Sequence, residues 1–187
     1  MATAAQKPVL HRTVVLVGMM GSGKTAIGRA LAAALDVPFL DSDAAIEEAA
    51  ALSIAEIFAR DGETFFRARE AEVIDRLLSG PPAILSTGGG AFLAEKNRAV
   101  IAKKGVAVWL NADLHTLWER VRHKNTRPLL RTANPFATLS ELMDVRTPIY
   151  AQASVHVPIA PTSSIEETTQ TVLDILAKDP TILEPSQ

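Results

Sequence analysis

Residues 18–25, GMMGSGKT, fit the spacing G-x-x-x-x-G-K-[ST], with an apolar run before them and an amphipathic stretch after. Glycines let the backbone curl so that successive N–H groups face a polyphosphate, and a helix starting there adds the positive end of its dipole. This pattern puts Gly21, Ser22, Gly23 and Ala26 around phosphates, Lys24 on the β and γ phosphates, and the Thr25 hydroxyl on Mg²⁺. A glycine-rich turn with no ligand is the alternative, and the flanking strand and helix make a chance match remote.

A phosphate cradle says nucleotide without saying what receives the phosphoryl group, so the other polar clusters must decide. In FLDSD (39–43), Asp41 and Asp43 stand one residue apart at the end of an apolar run. If that segment is extended they point to the same side, and two carboxylates meeting at one spot need a cation, a shared proton or water between them. A solvated turn with a helix N-cap is the plainer reading. In GETFFRARE (62–70), Glu63, Arg67 and Glu70 share a helix face at i, i+4 and i, i+3 spacing, as a surface salt-bridge ladder also would. In STGGG (86–90), Gly88, Gly89 and Gly90 follow directly on a strand, which suggests backbone in close contact with something, or else a flexible turn.

Residues 120–131, RVRHKNTRPLLR, hold five Lys/Arg and no acid. A solvated basic face is possible, but Pro128 and the TANPFAT that follows argue against one continuous helix. The segment reads as a lid that closes over a nucleotide and brings an arginine to offset transition-state charge. Arg146, in VRTPIY, follows a helical turn and stands alone. Carboxylates suited to hydroxyls and Mg²⁺, with isolated guanidinium forks suited to a carboxylate, describe a small, anionic, polyhydroxylated acceptor. The chemistry is transfer of a γ-phosphoryl group to an alcohol.

The elements that must carry these groups follow from periodicity. Residues 13–17, 83–85 and 106–110 read as strands buried on both faces, 39–40 as a short one, and 154–159, which contains Pro158, as an edge strand. Helical stretches cover 24–35, 44–51, 53–60, 63–78, 97–103, 113–122, 139–153 and 164–177. Gly28, inside the first helix, costs about 1 kcal/mol relative to Ala and implies close packing on the sheet. Such βαβ alternation gives an α/β sandwich with a parallel sheet, whose ligands bind beyond the carboxyl ends of the strands. The tail, 179–187, is expected to fray.

A chain of 187 residues with 19 Lys+Arg and 21 Asp+Glu fits one domain and gives no global signal for nucleic acid or membrane. It has no cysteine, which removes thiolate metal sites and cysteine nucleophiles and suits a reducing compartment. No segment approaches the roughly 18 apolar residues of a membrane span, and the N-terminal stretch lacks the apolar core of a secretory signal. A cytoplasmic monomer is expected.

Taken in order, GMMGSGKTAIGRALA (18–32), FLDSD, GETFFRARE, STGGG, RPLL (127–130) and RTPIY (146–150) resemble the shikimate kinase family, over about residues 12–178. The resemblance implies a P-loop, nucleoside monophosphate kinase-like fold: a three-layer α/β sandwich with a five-stranded parallel sheet. It implies a single domain, 1–187, with a nucleotide core, a substrate-binding region at about 41–70 and a lid at about 122–138. The implied reaction turns ATP and shikimate into ADP and shikimate 3-phosphate, on the way to chorismate and the aromatic amino acids.

Carried over position by position, Lys24 contacts the β and γ phosphates, while Thr25 and Asp41 hold one Mg²⁺, Asp41 through water. Asp43 binds the shikimate hydroxyls and orients or deprotonates the one attacked. Arg67 and Arg146 clamp the shikimate carboxylate, and the N–H groups of Gly88, Gly89 and Gly90 line the pocket. Arg127 reaches the phosphates and Arg120 lies against the nucleotide, so Lys24, Asp43 and Arg127 form the catalytic set. VHVPIAPTSS leaves the adenine contacts unassigned, and His11, His115, His123 and His156 match no motif, which gives them surface or structural roles. The rivals are a gluconate kinase-like enzyme of the same fold and an inactive nucleotide-binding regulatory homologue. Retention of Lys24, Thr25, Asp41 and Arg127 speaks for activity.

Overall fold

Thr13–Val17 is buried at every position, as a β-branched strand enclosed on both faces must be. It is the centre of the sheet in the computed structural model, which describes residues 7–124 and 127–186. The elements run β1 (Val9–Leu10), β2 (Thr13–Val17), α1 (Lys24–Leu35), β3 (Phe39–Asp41), α2 (Ser42–Ala50), α3 (Ile54–Leu78), β4 (Ile84–Ser86), α4 (Glu95–Lys104), β5 (Gly105–Ala112), α5 (Leu114–Val121), α6 (Pro135–Tyr150), β6 (Val155–Ile159), α7 (Ile165–Leu176) and β7 (Leu183–Glu184). Short 3₁₀ turns lie at Ala91–Leu93 and Pro128–Leu130.

Five parallel strands are ordered β3-β4-β2-β5-β6. The α1–α7 and α3–α4 pairs pack together, which completes the three-layer sandwich. Pro158 lies in β6 at the sheet edge, where its missing N–H costs no ladder bond. Gly28 is packed as its position predicts: a Cβ there would stand 2.7 Å from Phe39 Cε2. The main core includes Val14, Leu16, Leu85, Val108 and Leu110, and a separate small cluster of Ile46, Ile57, Phe66 and Val73 joins α2 to α3. No helix among the described residues is long and apolar enough to cross a membrane.

The expected helices at 53–60 and 63–78 are continuous as α3 but bend at Gly62, whose φ of 82° and ψ of 173° interrupt the helical path. A Cβ at Gly62 would meet nothing within 4 Å, so the backbone angle alone calls for glycine. α6 begins at Pro135, four residues before the expected start, because the Asn134 side chain accepts from Ala137 N and Pro135 suits the first turn. Arg146 sits inside α6, within the span expected to be helical.

Residues 179–184 of the tail do not fray. β7 pairs antiparallel with β1, Leu10 opposite Leu183, and His11 N donates to Ile182 O at 2.9 Å. Leu10, Ile182 and Leu183 are buried, and two-residue strands are too short to show a period.

Candidate active site

The loops leaving the carboxyl ends of β2, β3 and β4 converge, and they carry the predicted clusters. After β2, Gly23 caps α1 with a φ of 96°, a conformation that glycine adopts without strain. Lys24 Nζ folds back on the loop and donates to the carbonyls of Gly18, at 2.8 Å, and Met19, at 3.0 Å. Burial, then the nearby Arg127, lowers its pKa to about 8, with Asp43 opposing the shift. Arg120, from α5, ties down the same loop by donating from Nη1 to Gly21 O at 3.0 Å.

After β3, the two aspartates do not share an extended segment. Asp41 ends the strand opposite Ser86, and its Oδ1 accepts from Ala44 N at 3.1 Å as the N-cap of α2. Ser42 already starts the helix, so a helical turn, not a pleat, brings Asp43 to the cavity that Asp41 also lines. The N-cap reading and the pocket reading are thus both true of Asp41. Burial, then the Asp41 and Glu70 charges, raises the Asp43 pKa to about 6, against the pull of Lys24.

After β4, the carbonyls of residues 88–90 are all engaged by the protein. Gly88 O accepts from Ala91 N at 3.1 Å, Gly90 O from Leu93 N at 3.2 Å, and Gly89 O from the Tyr150 hydroxyl. Among the described residues, none of the three glycine N–H groups donates within the protein, which leaves three donors facing a ligand or water. A Cβ at Gly88 would stand 2.8 Å from Asp43 Oδ1, at Gly89 3.3 Å from Arg146 Nη1, and at Gly90 2.6 Å from Arg67 Nη2. Each glycine abuts one of the side chains predicted to bind the acceptor.

Arg67 Nη1 donates to Glu70 Oε1 at 2.8 Å, and its Nε stands 3.7 Å from Glu63. Glu70 is 1% exposed, and burial raises its pKa while Arg67 pulls it down. A surface ladder does not bury its acid, so Arg67 and Glu70 belong to the pocket, while Glu63 stays on the surface. Glu70 has no role in the pattern read from the sequence; its i, i+3 spacing from Arg67 is the signal that marks it. Arg146 is buried against Gly89.

Two cavities result. One of about 550 Å³ is lined by residues 20–27, Asp41, Asp43, Arg120 and Arg127, and extends to Ile159, Ser163, Ser164 and Thr168. That far end, just beyond β6, is the neutral loop whose contacts the sequence left open. The other, of about 240 Å³, is lined by Arg67, Glu70, Gly90 and Arg146 against an apolar wall of Ile54, Phe58, Phe66 and Leu129. Met20, Asp43, Gly88, Gly89 and Arg127 line both.

Of the expected lid, 122–138, Asn125 and Thr126 lie outside the described residues; Pro128 and Leu129 stand over the smaller cavity. Among the described residues no three His, Cys, Asp or Glu side chains gather to hold a metal. Thr25 and Asp41 on one cavity wall suit Mg²⁺, which keeps its waters and is held largely by phosphates. His115 and His123 are exposed, His11 is 3.2 Å from Glu184, and His156 Nε2 lies 2.9 Å from the carbonyls of Ala151 and Ala153. All four stand outside the site.

The sequence pattern of the shikimate kinase family matches residues 20–177. The chain is 62% identical over 177 residues to the shikimate kinase of Ruegeria pomeroyi, covering 95% of this chain and 91% of that one. Among solved structures, the shikimate kinase of Acinetobacter baumannii in complex with shikimate superposes with a TM-score of 0.82 at 34% identity, over 89% of this chain and 93% of that one. A gluconokinase from Sinorhizobium meliloti 1021 reaches a TM-score of 0.62 at 19% identity over 91% and 94%, a likeness of fold alone. With these matches spanning nearly its whole length, the chain belongs to the shikimate kinase family, the ATP-dependent kinases of shikimate.

Proposed function

We propose that the two cavities divide the reaction between them: ATP occupies the larger, shikimate the smaller, and the γ-phosphoryl group passes to the shikimate 3-hydroxyl beside Asp43. The observation that carries this reading is the common wall, where Asp43 and Arg127 face both spaces. Lys24, charged below its pKa of about 8, exchanges the Gly18 and Met19 carbonyls for the β and γ phosphates. The N–H groups of 21–26 cradle the phosphates, Arg120 braces that loop against the nucleotide, and Arg127 offsets charge on the group in transit.

Thr25 and Asp41 are the residues that would hold Mg²⁺, which supplies charge neutralisation to the nucleotide's phosphates. Asp43, ionised above pH about 6, accepts the hydrogen bond of the attacking hydroxyl and fixes its direction. A loose transition state asks little of a base, so orientation is the larger part of its role. Arg67 and Arg146 pair with the acceptor carboxylate, the N–H groups of 88–90 line the same pocket, and Glu70 fixes the Arg67 fork. Within a single domain, the region 41–70 supplies the substrate-binding wall and the lid closes over the nucleotide, with Arg127 facing both cavities. A cytoplasmic monomer with no nucleic-acid or membrane partner completes the proposal, in keeping with near-balanced charge and no cysteine.

A coupled assay of ADP release tests this. Shikimate drives Mg²⁺-dependent turnover and gluconate does not. Gluconate turnover without shikimate turnover would establish the rival sugar-acid kinase, and binding of ATP and shikimate without any ADP release would establish a regulatory protein.

A further inference from the structure

Of the three glycine carbonyls after β4, two are held by backbone N–H groups of the turn itself, and one, that of Gly89, is held by a side chain from another element, Tyr150. In a trans peptide the C=O of one residue and the N–H of the next point in opposite directions. Holding Gly89 O therefore also fixes the direction of the Gly90 N–H, on the side away from Tyr150. Gly90 lines the smaller cavity and abuts Arg67. Tyr150 itself is 1% exposed and lines neither cavity.

Tyr150 stands one helical turn beyond Arg146, so α6 presents both to the same loop: Arg146 at Gly89 from the cavity side, Tyr150 at its carbonyl. Trp109 of β5 packs near the phenol ring, 6.3 Å between centroids. Burial keeps the phenol protonated and therefore a donor, with Arg146 opposing that shift.

We propose that Tyr150 is a positioning residue for the acceptor: by holding the Gly89 carbonyl it fixes the direction of the Gly90 N–H beside the smaller cavity, and so sets acceptor affinity without touching the acceptor. This rests on the reading of the smaller cavity as the shikimate site. Tyr150→Phe keeps the ring and removes the hydroxyl, and with it both the bond to Gly89 O and the hydroxyl's bond with Arg146.

The test is steady-state kinetics of Tyr150→Phe beside Arg67→Ala, with thermal melting of both. The expected result is a roughly three- to tenfold rise in KM for shikimate in Tyr150→Phe, with KM for ATP unchanged, kcat within about twofold and the melting temperature nearly kept. An unchanged KM for shikimate in Tyr150→Phe, while Arg67→Ala raises it, overturns the role of Tyr150 and leaves the cavity reading standing. A fall in melting temperature with both KM values rising together also overturns it, because that is the signature of a purely structural contact. If Arg67→Ala too leaves KM for shikimate unchanged, the cavity reading fails and the role of Tyr150 fails with it.

Discussion

Asp43 is the residue on which opposing demands meet. Its carboxylate is drawn out of water beside Asp41 and Glu70, and only Lys24 favours its ionised form. A pKa raised from 3.8 to about 6 means that the folded chain binds this proton more tightly than the unfolded chain does. Stability from this group is thus fullest below pH 3.8 and is lost as pH rises through about 6; above that, the charge costs on the order of 1–3 kcal/mol. Asp43→Asn is therefore expected to raise the melting temperature of the ligand-free protein at pH 7.5 by roughly 2–8 °C while lowering kcat about 10²-fold or more. Melting curves and turnover of one variant check both. A normal kcat removes Asp43 from the mechanism, and an unchanged melting temperature removes the electrostatic strain. Both aspartates could be chosen from the sequence because acids at a strand end are conspicuous. Their geometry could not, because it depends on Ser42 starting a helix where an extended residue was equally plausible.

At the scale of elements, the glycine loop shows why close approach is legible and its object is not. Three glycines after a strand announce that backbone meets something; that each meets a different charged side chain, from α2, α3 and α6, is a fact of tertiary packing. Gly90→Ala puts a methyl group within 2.6 Å of Arg67 Nη2, the far end of a flexible chain, so the guanidinium yields before the backbone does. KM for shikimate is expected to rise about tenfold with the melting temperature within about 2 °C of the parent, since part of a charge-assisted pairing is lost and no core contact is. A large drop in melting temperature with KM unmoved shows instead that the glycine serves the loop. Helix ends follow the same division: Ser53 and Ser164 form capping boxes readable in sequence, whereas the start of α6 depends on the Asn134 side chain accepting from Ala137 N.

Across the whole molecule, the parallel sheet was readable because β2 and the middle of β5 are continuous apolar runs and helices such as α1, α5 and α7 carry a marked apolar face. β1 and β7 were not, since pairing between the two ends of a chain leaves no local trace. The same distinction governs function. The P-loop is a local signal, while the junction of the two cavities arises only when four separate segments, carrying Met20, Asp43, Gly88 with Gly89, and Arg127, meet. A crystal structure of the protein with ADP, Mg²⁺ and shikimate tests that junction most directly. The expected result is ADP along residues 21–26, the shikimate carboxylate between Arg67 and Arg146, and a shikimate hydroxyl on Asp43 at the mouth of the nucleotide cavity. Shikimate bound away from Arg67 and Arg146, or with no hydroxyl on Asp43, would contradict it.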